Sequence, residues 1–162
     1  MHETYMSVTD VETGRRLGNI GYFDDRFYVN VERDNKTFAP FEQGFDSSHD
    51  ARDAIIKYHR RMKLADALES GDYKQGKHRL KGYGRHCVAG VACDVSGIGN
   101  WQAGQMGYNE HYNIGGILDS FAMSDLVRIW YGFEKTFVDT LMRKNDREDV
   151  SFDKLAKLIR EY

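Results

Sequence analysis

Residues 73–94 read YKQGKHRLKGYGRHCVAGVACD and hold most of the chemistry this chain offers. Lys74, Lys77, Arg79, Lys81 and Arg85 recur along a segment punctuated by Gly76, Gly82 and Gly84. Glycines let backbone N–H groups converge on an anion, and an arginine fork grips a phosphate through two parallel hydrogen bonds. A helix opening near Cys87 would turn the positive end of its dipole back at this segment. Trp101, Tyr108 and Tyr112 follow in a glycine-rich stretch, with rings of the kind that stack on a base. A phosphate grip beside an aromatic platform is what a nucleotide-like ligand needs. The candidate ligand-binding set is Tyr73, Lys74, Lys77, Arg79, Arg85, Trp101 and Tyr108. Against it stands a plainer reading, in which the basic residues form a solvated face and the aromatics cap a core.

Other chemistries fit these residues less well. GDYKQGKH approaches the phosphate-loop pattern, but His78 occupies the place of the magnesium-binding hydroxyl and the preceding KLADALES reads as helix rather than strand. Cys87 and Cys93, with His86 and Asp94 beside them, suggest a metal only superficially. Six positions apart on a helix they diverge, and tetrahedral sites favour closer spacing. They read as buried structural thiols. A nucleophilic cysteine needs a base, and nothing in the sequence selects among His59, His78 and His111. No catalytic residue, metal site or cofactor is assigned.

The charge distribution sharpens the anion reading. The net charge is −2, yet residues 57–86 carry nine Lys/Arg against three Asp/Glu, while residues 1–56 carry six against eleven. The positive block also holds His59, His78 and His86. Two cysteines make no disulfide framework, which fits a reducing compartment. No apolar run approaches the ~20 residues of a membrane span, and MHETYMSVTD lacks a signal pattern. The expectation is a cytoplasmic protein without a membrane partner.

Behind these residues stand the elements that must position them. MSVTDV, LGNIGYF and RFYVNVE alternate as strands, with turns at Thr13-Gly14 and Asp34-Asn35-Lys36, and TFAPFEQGF follows with Pro40 marking an edge. A helix starts at Ser47 or Ser48, where Ser47 and Asp50 form a capping box. Ala51, Ala54, Ile55, Tyr58 and Met62 make its apolar stripe, Arg52, Arg60 and Arg61 lie off it, and the pattern continues or restarts until Gly71. A short helix is expected from 87 to 95. Residues 97–116 hold six glycines and read as a long loop, functional rather than disordered given three large aromatics. Helices near 119–131, near 134–143 and from Ser151 onward complete the chain, the last with Phe152, Leu155, Ala156 and Ile159 inward.

The expected class is α+β: a small antiparallel β-sheet plus helix over residues 1–62, then a mostly helical part over 63–162, as two subdomains or as one compact unit. Weakly charged apolar faces and many aromatics would also suit a homo-oligomer.

Two resemblances add to this. Over residues 17–62, three strands and a helix joined by GFDSSHDARDAI resemble, loosely, the DNA-binding fold of plant ethylene-response factors and phage integrase arm domains. That would imply DNA as a partner, but Asp24, Asp25, Glu32, Asp34 and Glu42 oppose phosphate contact. Over residues 64–162, LESGDYKQGKHRL, CVAGVACDV, LVRIWYGF and KNDREDVSFDKLAKLI resemble an uncharacterised family of small bacteriophage and prophage proteins. Its members carry Tyr-x-Gln-Gly and then a Cys-Cys-Leu-Gly-Val-Leu-Cys-Asp-like helix. Val88 departs from the second cysteine, and Met123-Ser124 from the usual Leu-Pro. The resemblance implies a phage origin and brings no catalytic residues.

Taken together, these readings point to a non-enzymatic phage accessory protein of counter-defence type, binding and sequestering an anionic nucleotide-like ligand. A protein- or DNA-directed inhibitor, acting on a host defence protein or on DNA, is the alternative, and a nucleotide phosphoesterase using His78 or His86 is a third.

Overall fold

A computed structural model of the chain describes residues 6–104 and 107–162. The architecture is α+β, in two compact units, Met1–His59 and Arg60–Tyr162.

The first unit is an antiparallel sheet in meander order, β1 (Met6–Thr9), β2 (Arg16–Phe23), β3 (Arg26–Arg33) and β4 (Lys36–Phe38), followed by the part of helix α1 (Ser48–Glu69) up to His59. Two of its hairpins turn on paired left-handed residues, Asp24-Asp25 and Asp34-Asn35, the residue types that tolerate this conformation best after glycine. Pro40 lies just past β4, the outer strand, where a missing N–H costs no ladder bond. Val29 and Val31 alternate inward and pack with Val8, Leu17 and Ile20 against Ala51 and Ile55 of α1. Half of the expected capping box forms: the Asp50 N–H donates to Ser47 Oγ at 3.0 Å, while the Asp50 carboxylate accepts the Ser47 hydroxyl at 2.7 Å in place of its N–H.

Helix α1 runs without interruption to Glu69, so KLADALES continues it. Two of its arginines correct the expectation that they lie off the packed face. Arg61 is 7% exposed and donates to the Tyr131 carbonyl. Arg60 donates to the Trp130 carbonyl at 2.9 Å with its guanidinium 4.1 Å from the Trp130 ring. Both satisfy carbonyls at a helix C-terminus, a place where cations are favoured.

The second unit holds α2 (Val88–Ser96), α3 (Asp125–Tyr131), α4 (Lys135–Asp146) and α5 (Phe152–Glu161) around one apolar core. Phe152, Leu155, Ala156 and Ile159 of α5 point inward, as the periodicity requires. Gly90 of α2 lies so close to the chain at Leu80 that a Cβ there would stand 1.7 Å from the Leu80 carbonyl oxygen.

The glycine-rich stretch is not a loop. It supplies β7 (Asn100–Ala103), β8 (Asn109–Ile114) and β9 (Ile117–Asp119), which join β5 (Lys81–Gly82) and β6 (Arg85–His86) in a second antiparallel sheet. Its glycines serve the turns, with Gly115 and Gly116 at positive φ between β8 and β9. The helix expected near 119 consequently starts only at Asp125, where Ser124 Oγ accepts the Val127 N–H. Among the described residues no helix is long and apolar enough to cross a membrane.

Candidate functional site

The second sheet presents two chemically different faces. In the register His86↔Lys81↔Glu110↔Ala103, and two residues along Tyr112↔Trp101, directly paired side chains share one side. This side meets α2, since the Trp101 indole N–H donates to Asp94 Oδ1 at 2.8 Å and the buried Tyr112 hydroxyl accepts the Gly99 N–H at 2.9 Å. Tyr73 donates its hydroxyl to the other Asp94 oxygen. Between them stands His86, edge-on to the Tyr73 ring at 5.2 Å and to Trp101 at 5.7 Å. The Lys81 ammonium is 2.7 Å from the Glu110 carboxylate and 5.1 Å from the Trp101 ring centroid.

Electrostatics in this inner cluster follow from burial and from these partners. Burial and then Lys81 hold His86 below the ordinary imidazole range, and its Nδ1 is buried with no hydrogen-bond partner among the described residues. Burial works to raise Asp94, but hydrogen bonds from Tyr73 and Trp101 outweigh it and hold the carboxyl below the usual range. Burial, then the bond to Asp94, pushes the Tyr73 phenol well up. The cluster is thus a neutral imidazole, an anchored carboxylate and one paired lysine.

The opposite face is open. Gly82 pairs with Arg85 on one side and Asn109 on the other. With no side chain of its own, it lets Asn109 Oδ1 stand 2.9 Å from where its Cβ would be, and it is flanked by Arg85 and by Arg79, whose Cδ lies 3.6 Å from that point. Among the described residues neither arginine has a carboxylate partner: Arg85 donates to the Gln75 carbonyl, and Arg79 lies over the Phe121 ring at 4.9 Å. At the end of this sheet Tyr83 and Tyr108 stack, centroids 5.5 Å apart and planes 16° from parallel, and they are 73% and 60% exposed. Tyr83 holds φ at 52°, an uncommon state for a bulky side chain, in the tight β5–β6 turn, and its N–H donates to the Tyr108 carbonyl at 2.8 Å.

The seven candidate residues therefore separate. Tyr73 and Trp101 meet, through Asp94 and His86, on the inner face. Arg79 and Arg85 border the open face, and Tyr108 stacks on Tyr83 at the end of the sheet. Lys77 is ion-paired with Asp149, so its charge is compensated. Lys74 is exposed, and its carbonyl accepts the His86 N–H at 2.9 Å. Cys87 immediately precedes α2 and Cys93 lies within it, both buried and free. Burial pushes the Cys87 thiol up to about 11 and Cys93 higher still, the opposite of an activated nucleophile.

Sequence reasoning did not select Tyr83, Asn109, His111 or Phe121. The signal lies in NEHYNI (109–114), whose alternation of Asn, His and Asn with Glu, Tyr and Ile is a strand pattern. It is hidden by the surrounding glycines.

An α+β unit with a half-polar sheet backed by helices is the class that fold and site define. The chain belongs to the family described as a domain of unknown function, DUF8296, whose pattern matches residues 56–162 and so contains every residue of both faces. Neither a curated protein nor a solved structure matches the chain significantly.

Proposed function

We propose that this protein binds an anionic, nucleotide-like ligand on the open face of its second sheet and holds it without turning it over. The observation that carries the reading is the pair Arg79 and Arg85 flanking Gly82, uncompensated by any carboxylate among the described residues, beside the exposed Tyr83–Tyr108 stack. Guanidinium forks suit phosphate oxygens, and an exposed parallel ring pair offers its outer face to a base. Tyr73 and Trp101 act in this scheme as the scaffold behind the strands. Arginines donate hydrogen bonds and do not exchange protons at neutral pH, so the site suits capture rather than catalysis. The resemblance to phage proteins extends the proposal to sequestration of a host defence signal in the host cytoplasm.

A thermal-shift panel of mononucleotides, cyclic dinucleotides and ADP-ribose derivatives tests it. A ligand at a hundred times its dissociation constant adds ~2.7 kcal/mol, about 5–10 °C for a chain of this size. Arg79→Ala and Arg85→Ala should each shrink that shift while leaving the unliganded midpoint within about 2 °C, as exposed substitutions do. A flat panel removes the reading.

One observation supports the protein-directed alternative. Ile117, Leu118, Phe121, Leu126 and Ile129 are exposed, and Ile114, Ile117 and Leu126 line a groove of about 270 Å³ rimmed by Asp119, Ser124 and Asp125.

A further inference from the structure

We infer that the nucleotide this site takes is one unit of a single-stranded oligonucleotide, laid along β8 with its bases against a row of uncharged hydrogen-bonding side chains. The inference rests on the proposed nucleotide reading and extends it from one subsite to a track.

The open face continues well beyond the arginines. Asn109, His111 and Asn113 alternate along β8, and the register sets Gln102 of β7 opposite His111 and Asn100 opposite Asn113. All five side chains belong to the side away from α2, and Asn100 and Gln102 are exposed. The row carries amides and an imidazole in place of the charged residues that usually cover a solvated sheet face. Such groups offer both donors and acceptors, the complement of base edges.

Two of these groups have spare capacity, and Asn109, whose Oδ1 is buried, is not one of them. His111 commits Nδ1 to Ser120 Oγ, and Asn113 commits Oδ1 to the Gly116 N–H, which fixes the orientation of each and leaves the other polar atom of the side chain for a ligand. From Asn109 to Asn113 the strand advances roughly 14 Å. That is about four times the ~3.4 Å per nucleotide of one strand of a stacked duplex. A mononucleotide held at Arg79, Arg85 and Tyr108 would leave most of the row unused. An unpaired strand would fill it, since only unpaired bases turn their edges and faces outward together.

The test compares chain length directly. Fluorescence anisotropy is read for labelled single-stranded RNA and DNA hexanucleotides, for competing AMP, CMP, GMP and UMP, and for a 12-base-pair duplex. The expected result is at least ten-fold tighter binding of a hexanucleotide than of any mononucleotide or the duplex. An Asn100→Ala/Gln102→Ala double variant, its fold checked by circular dichroism, should lose about ten-fold for the hexanucleotide and little for the mononucleotide. Equal affinity for mononucleotide and hexanucleotide overturns the track and leaves the nucleotide site standing. Tighter binding of the duplex also overturns it. No binding of any of these probes removes the track, and a panel equally silent to cyclic dinucleotides and ADP-ribose removes the site as well. The length comparison needs only the unmodified protein, so a variant that fails to fold does not block the decision.

Discussion

Trp101 and Asp94 are joined by an indole N–H···carboxylate hydrogen bond of 2.8 Å, which ties β7 to the outer side of α2. The same carboxylate accepts the Tyr73 hydroxyl, so one residue holds the segment before the sheet and a strand within it. Asp94→Ala leaves both donors unmatched. Bonds to a charged group contribute about 1.5–3 kcal/mol, and exposure of Asp94 places the loss toward the lower end. The melting midpoint should fall by about 3–6 °C. Trp101→Phe keeps the ring contact with Tyr112 and loses only the indole bond, so it should cost less; an equal loss would assign the effect to packing instead.

Gln75 and Asn145 form the second anchor of the candidate segment. Gln75 donates to Asn145 Oδ1 and the Val150 carbonyl and accepts the Phe152 N–H, while fully buried Asn145 donates to the Gly76 carbonyl at 2.9 Å. Asn145→Ala strands several buried groups and should cost about 2–4 kcal/mol. The Gln75→Ala/Asn145→Ala double variant should cost clearly less than the sum of the singles, because both dismantle one network. Additive losses in chemical denaturation would show two independent contacts.

At Gly90 the constraint is steric. A methyl group would stand 1.7 Å from the Leu80 carbonyl oxygen, backbone that has nowhere simple to go. Gly90→Ala should therefore destabilise by about 3 kcal/mol or more, although alanine is the better helix former by ~1 kcal/mol. A neutral or stabilising result in urea denaturation would mean that α2 and the segment at Leu80 separate easily.

Stability should fall as the solution is acidified from neutrality. His86 has a folded-state pKa below 6.5, lowered by burial and by Lys81, so below that pH the unfolded chain binds the proton more readily. The loss sets in as pH falls through 6.5, the unfolded value, and grows until the folded value is passed. His59 is lowered by burial with the same sign, and depressed Asp94 adds a further loss as pH falls through its folded value. His86→Gln should flatten part of the midpoint-versus-pH curve between 7 and 5 and leave the part due to His59. An unchanged curve would show that His86 is protonated as easily in the fold as out of it.

Binding at the open face should depend on salt only mildly. Two phosphate-contacting arginines release about 0.7 counterions each on a single strand, giving a log–log slope near −1.4. Arg79→Ala should bring it to about −0.7, measured by anisotropy between 50 and 300 mM salt. A slope steeper than −4 would place more cations on the ligand than this face holds.

Much of the first unit was legible because its signals are local. The inward alternation of Val29 and Val31, the turn at Asp34-Asn35 and the Ser47 cap on the Asp50 N–H each depend on residues a few positions apart. The same holds for the α5 stripe. The second sheet was missed because six glycines between 97 and 116 dilute the alternation. Its strands are also short, and β5 and β6 are two residues each and exist only through their neighbours.

By itself the sequence determined the α+β class, the basic block around residue 80, the helix starts at Ser47 and Ser151, and the burial of both cysteines. These follow from composition and from short-range periodicity. Only the tertiary structure decided which charges are free. Lys77 and Lys81 lose theirs to Asp149 and Glu110, partners 72 and 29 positions away, while Arg79 and Arg85 keep theirs. It likewise set Gln102 and His111 on the opposite face from Trp101 and Tyr112, though all four lie in one glycine-rich stretch. Strand pleating sends alternate side chains to opposite faces, and the face each residue takes is set by register with strands distant in sequence.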